Sequence, residues 1–154
     1  MTLARLENKD GPDDESERIL DEFTLPSQPG NEREAMRRVA GVIGDLGFDD
    51  ARIDRIKTAV AEGTMNAMEH GNQYRVDQPA SVKVTLTKDE LVVQIIDYGG
   101  ESEIPEVEDT DLEAKLDGLQ SPRGWGLFLI RSMVDELRTH SDRAHHTIEL
   151  VFKR

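Results

Sequence analysis

Ser81-Val82-Lys83-Val84-Thr85-Leu86-Thr87 alternates apolar and polar residues at a period of two. An amphipathic helix would scatter those apolar residues around its axis, whereas a strand puts Val82, Val84 and Leu86 on one face. Lys88-Asp89-Glu90 turns the chain, and Leu91 to Asp97 follows as a more continuous apolar run suited to a central strand. The two runs predict a hairpin, and a sheet with one apolar face must be covered.

The covers are helical in period. After a turn at Ser27 to Gly30, Asn31 and Glu34 have capping-box spacing. Ala35, Val39, Val42 and Leu46 then form a stripe, and Gly47 suits the stop. Asp49 or Asp50 can cap a second helix, with Ile53, Ile56, Val60, Gly63 and Ala67 as its buried stripe and Gly71 as its end. A third is predicted from Gly124 to about Leu137, striped by Leu127, Ile130, Val134 and Leu137. Phe23 and Leu25, stopped by Pro26, predict an edge strand. A further strand starts near Thr139 and His140, Asp142 to His145 turns, and Thr147 to Phe152 alternates. The order β-α-α-β-β-(long loop)-α-β-β predicts an α+β fold: a two-layer α/β sandwich with a mixed, mostly antiparallel sheet and three helices on one face.

Charge separates this body from its appendages. The chain of 154 residues has a formal net charge of −13 and no cysteine. Met1 to Glu22 carries a net −5 and Glu101 to Asp117 a net −7. Residues 1–18 are expected to be a disordered acidic tail and 19–154 a single domain. No basic stripe suits nucleic acid. No apolar run suits a membrane span, and no signal-peptide core is present, so a cytoplasmic protein is expected.

Three segments carry candidate chemistry. Glu62, Asn66 and His70 recur every four residues and form a polar row beside the buried stripe of the second helix. Such a row lines a pocket or is a solvated flank. Asp97 ends the apolar strand and is followed by Gly99 and Gly100. Its carboxylate can accept a hydrogen bond from an exocyclic amine, and the glycines allow close approach of a planar ring; alone, the motif is also an ordinary turn. Arg123-Gly124-Trp125-Gly126-Leu127 opens the third helix, where backbone N–H groups and the dipole favour a phosphate. The segment from about 100 to 123 can close as a lid. His140, His145 and His146 read as surface histidines of a turn rather than a metal site, and Trp125 as a packing anchor.

Together the segments resemble the GHKL (histidine kinase-like) ATPase superfamily, and within it the anti-sigma-factor serine/threonine protein kinases. Glu62-X-X-X-Asn66-X-X-X-His70-Gly71 is similar to the N box, Asp97-Tyr98-Gly99 to the start of the G1 box, and Arg123 to Ile130 to the G2 box. Met133 to Leu137 is similar to the usual continuation, and Thr147 to a threonine near the adenine. The resemblance covers about Phe23 to Lys153.

The resemblance implies binding of ATP with Mg²⁺. Glu62 would be general base toward a serine or threonine of a STAS-type anti-anti-sigma protein, and Asn66 the Mg²⁺ ligand. Nucleotide contacts would come from Asn66, His70, Asp97, Gly99, Gly100, Arg123, Gly124, Trp125, Gly126, Leu127 and Thr147. The same protein would sequester a sigma factor, as a homodimer. Two positions depart from the pattern: Glu101 stands at the second G1 glycine, and His146 precedes Thr147 where a glycine is usual. They favour an alternative, a binding module of the same fold that holds a partner without phosphoryl transfer.

Overall fold

A computed structural model describes residues 17–99 and 122–154. The acidic tail before residue 17 and the lid, including Gly100 and Glu101, lie outside them. The order is β1 (Arg18–Leu25), α1 (Asn31–Ile43), α2 (Asp50–Asn66), a π-helical turn (Ala67–Gly71), β2 (Ala80–Leu86), β3 (Glu90–Asp97), α3 (Pro122–Met133), β4 (Glu136–Ser141) and β5 (His146–Lys153).

The strands form one sheet in the order β1-β2-β3-β5-β4. The predicted hairpin is β2–β3, with Val82 opposite Ile95 and Val84 opposite Val93. Among the described residues every pairing is antiparallel, so the sheet they form is not the mixed one expected. The long excursion through α3 returns the chain along β4 on the far side of β5, and β5 then runs back antiparallel to β3. Strand β3 is central, but its burial alternates: Leu91, Val93, Ile95 and Asp97 are buried while Val92, Gln94 and Ile96 are half-buried. Its continuous apolar run therefore does not mean helices on both faces. Ile56 and Val60 of α2, Val39 and Ile43 of α1, and Leu127 and Ile130 of α3 share one core with the inward residues of the sheet.

Local chemistry sets the helix ends. Asp49 caps α2, its side chain accepting from the Arg52 N–H at 2.8 Å. The expected capping box of α1 does not form. Gly30 takes the cap position with φ of 101°, which puts Asn31 inside the helix. The Asn31 amide instead donates to the Pro26 carbonyl, and the carboxylate that reaches back to the Gly30 N–H is that of Glu32, while Glu34 pairs with Arg37.

Helix α3 starts earlier and stops earlier than its apolar stripe suggests. Pro122 suits a first helical turn, where its missing N–H costs nothing. Beyond Met133 the Asp135 N–H donates to the Val151 carbonyl, and Asp135 Oδ2 accepts from the Lys153 N–H at 2.6 Å and from Arg52 at 3.0 Å. Those bonds commit the chain to β4, and Leu137 pairs with Leu150 rather than continuing the helix.

Helix α2 lies close on the sheet because Gly63 has no side chain. A Cβ there would sit 2.8 Å from Ile95 Cδ1 and 3.3 Å from Ile148 Cδ1. Gly63→Val is expected to lower stability by about 1–3 kcal/mol through overpacking, despite removing a helix glycine. Urea unfolding of the two proteins checks this.

Candidate functional site

Glu62, Met65, Asn66, Glu69 and His70 line a cleft of about 190 Å³, closed from the other side by Gly126 and Leu129 of α3. The polar row of Glu62, Asn66 and His70 therefore does face a pocket between helices. It survives the π-helical turn, in which the Asn72 N–H donates to the Ala67 carbonyl at 2.8 Å across five residues. His70 is part of the row, and its Nε2 lies 3.7 Å from Glu69 Oε1.

Asn66 is the most enclosed member, 4% exposed. Its side chain makes no hydrogen bond among the described residues, and a Cβ on Gly126 would stand 3.4 Å from its Nδ2. An enclosed amide beside a position without a side chain fits a hard-oxygen ligand for Mg²⁺ that leaves room for phosphate oxygens. No cluster of three or more acids and histidines is arranged for a metal among the described residues. That is compatible with Mg²⁺, which uses few protein ligands and completes its shell with phosphates and water.

Gly126 earns its place differently from the expectation. It lies in the second turn of α3, beyond the first four N–H groups that a helix leaves unpaired. Its contribution is the space it leaves at Asn66. Arg123, Gly124 and Trp125 fall in the first turn, where the unpaired N–H groups are; their side chains lie outside the described residues. Leu127 is fully buried in the core.

Asp97 does not line the cleft. It sits behind the π-helical turn, 3% exposed, at the end of β3. Its Oδ1 accepts from the Gly99 N–H at 2.8 Å and lies 3.2 Å from His146 Nδ1. The carboxyl rests directly on Gly71: a Cβ on Gly71 would be 2.1 Å from Asp97 Cγ. Gly99 packs on the Gly71 backbone in turn, its Cβ position 2.7 Å from the Gly71 carbonyl oxygen. Both glycines thus serve the seating of Asp97.

Buried Asn72, which the motif reading passed over, ties this corner together. Its Oδ1 accepts from the Tyr98 N–H at 2.7 Å, and its amide donates to Ser27 Oγ, which donates to the Gln78 carbonyl.

Thr147 is displaced from its expected place. It pairs with Ile96 in the register where His146 pairs with Asp97. Strand alternation turns Thr147 to the opposite face of the sheet, and His146 takes the position beside Asp97. His146 is 1% exposed and is no surface histidine; the turn ends at His145, so the pleat begins one residue before the predicted strand. Counting inward residues back from Phe152 in steps of two reaches His146, a signal present in the sequence. His145 is half-buried, its ring centroid 5.0 Å from that of Tyr98, and His140 is exposed.

Among the described residues, an open antiparallel sheet, three helices on one face and a polar cleft between the second and third helices define the two-layer sandwich of a GHKL-type ATPase domain. The chain belongs to the histidine kinase-like ATPase domain family, whose model matches residues 25–152. It is 30% identical over 127 residues to an anti-sigma F factor of Clostridium botulinum, covering 82% of this chain and 86% of that protein. It is 24% identical over 123 residues to the serine-protein kinase RsbW of Oceanobacillus iheyensis, covering 78% of each. Its fold matches a chain in the crystal structure of the SiaB-SiaC complex from Pseudomonas aeruginosa, with a TM-score of 0.68 at 19% identity over 88% of this chain and 90% of that one.

Proposed function

We propose that the protein is an ATP- and Mg²⁺-dependent serine/threonine kinase that phosphorylates a STAS-type anti-anti-sigma protein and sequesters a sigma factor, acting as a cytoplasmic homodimer. The observation that carries the reading is the convergence of Glu62, Asn66 and Gly126 on one cleft. Relatives named as anti-sigma factors and as serine-protein kinases support it. For localisation, no helix among the described residues is long and apolar enough to cross a membrane.

Phosphoryl transfer needs positioning and charge neutralisation more than covalent chemistry from the protein. Glu62 is half-buried at the mouth of the cleft and takes the proton as the acceptor hydroxyl forms its bond to phosphorus and the bond to ADP breaks. Asn66 would hold Mg²⁺ through its amide oxygen, and the ion would supply charge neutralisation at the phosphates. The unpaired N–H groups in the first turn of α3 face developing negative charge.

A non-catalytic binding module is the second reading. The burial of Asp97 and its engagement by His146 favour it, since a base must reach that carboxylate.

The test is calorimetric titration of ATP with Mg²⁺, followed by incubation with a candidate anti-anti-sigma partner and mass spectrometry. Wild type is expected to bind and to add one phosphate to the partner. Asn66→Ala is expected to weaken Mg²⁺-dependent ATP binding by about tenfold or more, the loss of one charge-assisted contact. Binding without transfer favours the module, and no binding refutes the nucleotide site.

A further inference from the structure

The polar row of the cleft stays in line further than an α-helix allows. In α-helical geometry each step of four residues drifts about 40° around the axis. His70 stands seven residues after Gly63, a spacing that puts two residues on one helix face. An α-helical continuation would therefore turn His70 to the face on which Gly63 meets Ile95 and Ile148 of the sheet. His70 instead lines the cleft beside Glu62 and Asn66. The π-helical turn removes the drift. Its closing bond runs from the Asn72 N–H to the Ala67 carbonyl across five residues, so each residue advances less around the axis and His70 keeps its place in the row.

The turn is held by its surroundings rather than by its own backbone. Gln73 and Tyr74 follow it, both left-handed at φ of 53°, a conformation that costs energy in residues with a side chain. Asn72 stands between the turn and this pair and is 0% exposed. Both ends of its amide are engaged. Oδ1 accepts from the Tyr98 N–H at 2.7 Å, just beyond β3, and Nδ2 donates to Ser27 Oγ at 3.0 Å, just before α1. Closing the turn as an α-turn would give the Ala67 carbonyl to the Gly71 N–H. Asn72 would then move about 1.5 Å along and about 100° around the axis. It would leave both partners, and its amide would be unpaired in an enclosed place.

We propose that Asn72 is a positioning residue for the nucleotide cleft: by bonding the Tyr98 N–H and Ser27 Oγ it holds the π-helical turn open, and the open turn aligns His70 with Glu62 and Asn66. The inference rests on the reading of the cleft as the site for ATP with Mg²⁺. Asn72 does not line the cleft, so it acts through the backbone that it holds. Its two partners belong to segments far away in the chain, which fix the turn before any ligand arrives. Nucleotide binding is thus spared the cost of ordering the turn.

The experiment begins with isotope-labelled wild type in solution. Correlations through hydrogen bonds are expected to join the Asn72 amide nitrogen to the Ala67 carbonyl carbon. Titration with ATP and Mg²⁺ is expected to shift the resonances of the His70 ring and of the Asn66 side-chain amide together. Neither readout needs a variant to fold. Calorimetry with ATP and Mg²⁺ then compares Asn72→Leu, His70→Ala and the double variant. Asn72→Leu is expected to weaken binding by about tenfold or more when His70 is present. In the His70→Ala background it is expected to cost less than about threefold, because the side chain it aligns is already gone. A correlation from the Gly71 nitrogen to the Ala67 carbonyl, ATP binding that leaves His70 unshifted, or unchanged affinity in Asn72→Leu overturns the proposal. Equal losses in the two backgrounds overturn it as well, since Asn72 would then serve the fold at large. Wild type that binds no ATP refutes the nucleotide reading of the cleft and this proposal with it.

Discussion

Glu62→Gln is expected to reduce phosphoryl transfer to the partner by about 10²–10⁴-fold, the usual contribution of a positioned general base. ATP affinity is expected to stay within about threefold of wild type, because the amide keeps the size and hydrogen-bonding reach of the acid and only the proton acceptor is lost. The split matters more than the size of the loss. Glu62 shares its cleft with Asn66, Glu69 and His70, so a general electrostatic role would change binding and transfer together. A role confined to the transferred proton changes the rate alone. Single-turnover transfer at saturating ATP, beside calorimetric binding, separates the two. Equal losses in both would place Glu62 among the groups that hold Mg²⁺ or phosphate.

Gly71→Ala is the second large effect, and it follows from one distance. A methyl group on Gly71 would sit 2.1 Å from Asp97 Cγ and 2.2 Å from Oδ2. The carboxyl cannot stay, and moving it breaks its contacts with His146 and the Gly99 N–H in a corner with almost no solvent. Leaving a buried polar group without its hydrogen-bond partner costs about 1–3 kcal/mol. A stability loss of about 2–4 kcal/mol is expected, together with loss of ATP binding. The mechanism is checked by a double-mutant cycle in denaturant: in an Asp97→Ala background the obstructing carboxyl is gone, and Gly71→Ala is expected to cost less than about 1 kcal/mol. Equal costs in the two backgrounds would show that Gly71 matters for its own backbone and not for seating Asp97.

The family and the layout of the domain were legible because their signals are local. The alternation at Ser81 to Thr87 specifies a strand through the geometry of the backbone alone, and the spacing of Glu62, Asn66 and His70 specifies a shared helix face in the same way. Asp49 could be read as a cap because an aspartate bonds the N–H groups just ahead of it. The cleft row was recognisable before any partner element was placed, since a helix face is a property of its own residues.

Other outcomes depended on what lay across the fold. Leu137 continued the apolar stripe of α3, but the hydrogen bonds that Asp135 donates to Val151 and accepts from Lys153 drew it into β4; those partners are remote in sequence. Glu34 had capping-box spacing, but a left-handed Gly30 moved the helix start. His146 rather than Thr147 stands beside Asp97 because the cross-strand register with β3, not their rank in a motif, decides which of two adjacent residues faces it. Gly71, Gly99 and Gly126 show the same division. The sequence determined that no side chain stands at those positions, which is a local chemical fact. Only the tertiary structure decided what fills the space: the Asp97 carboxyl over Gly71, the Gly71 backbone against Gly99, and the Asn66 amide beside Gly126. Close packing joins residues far apart in the chain, and no periodicity encodes it.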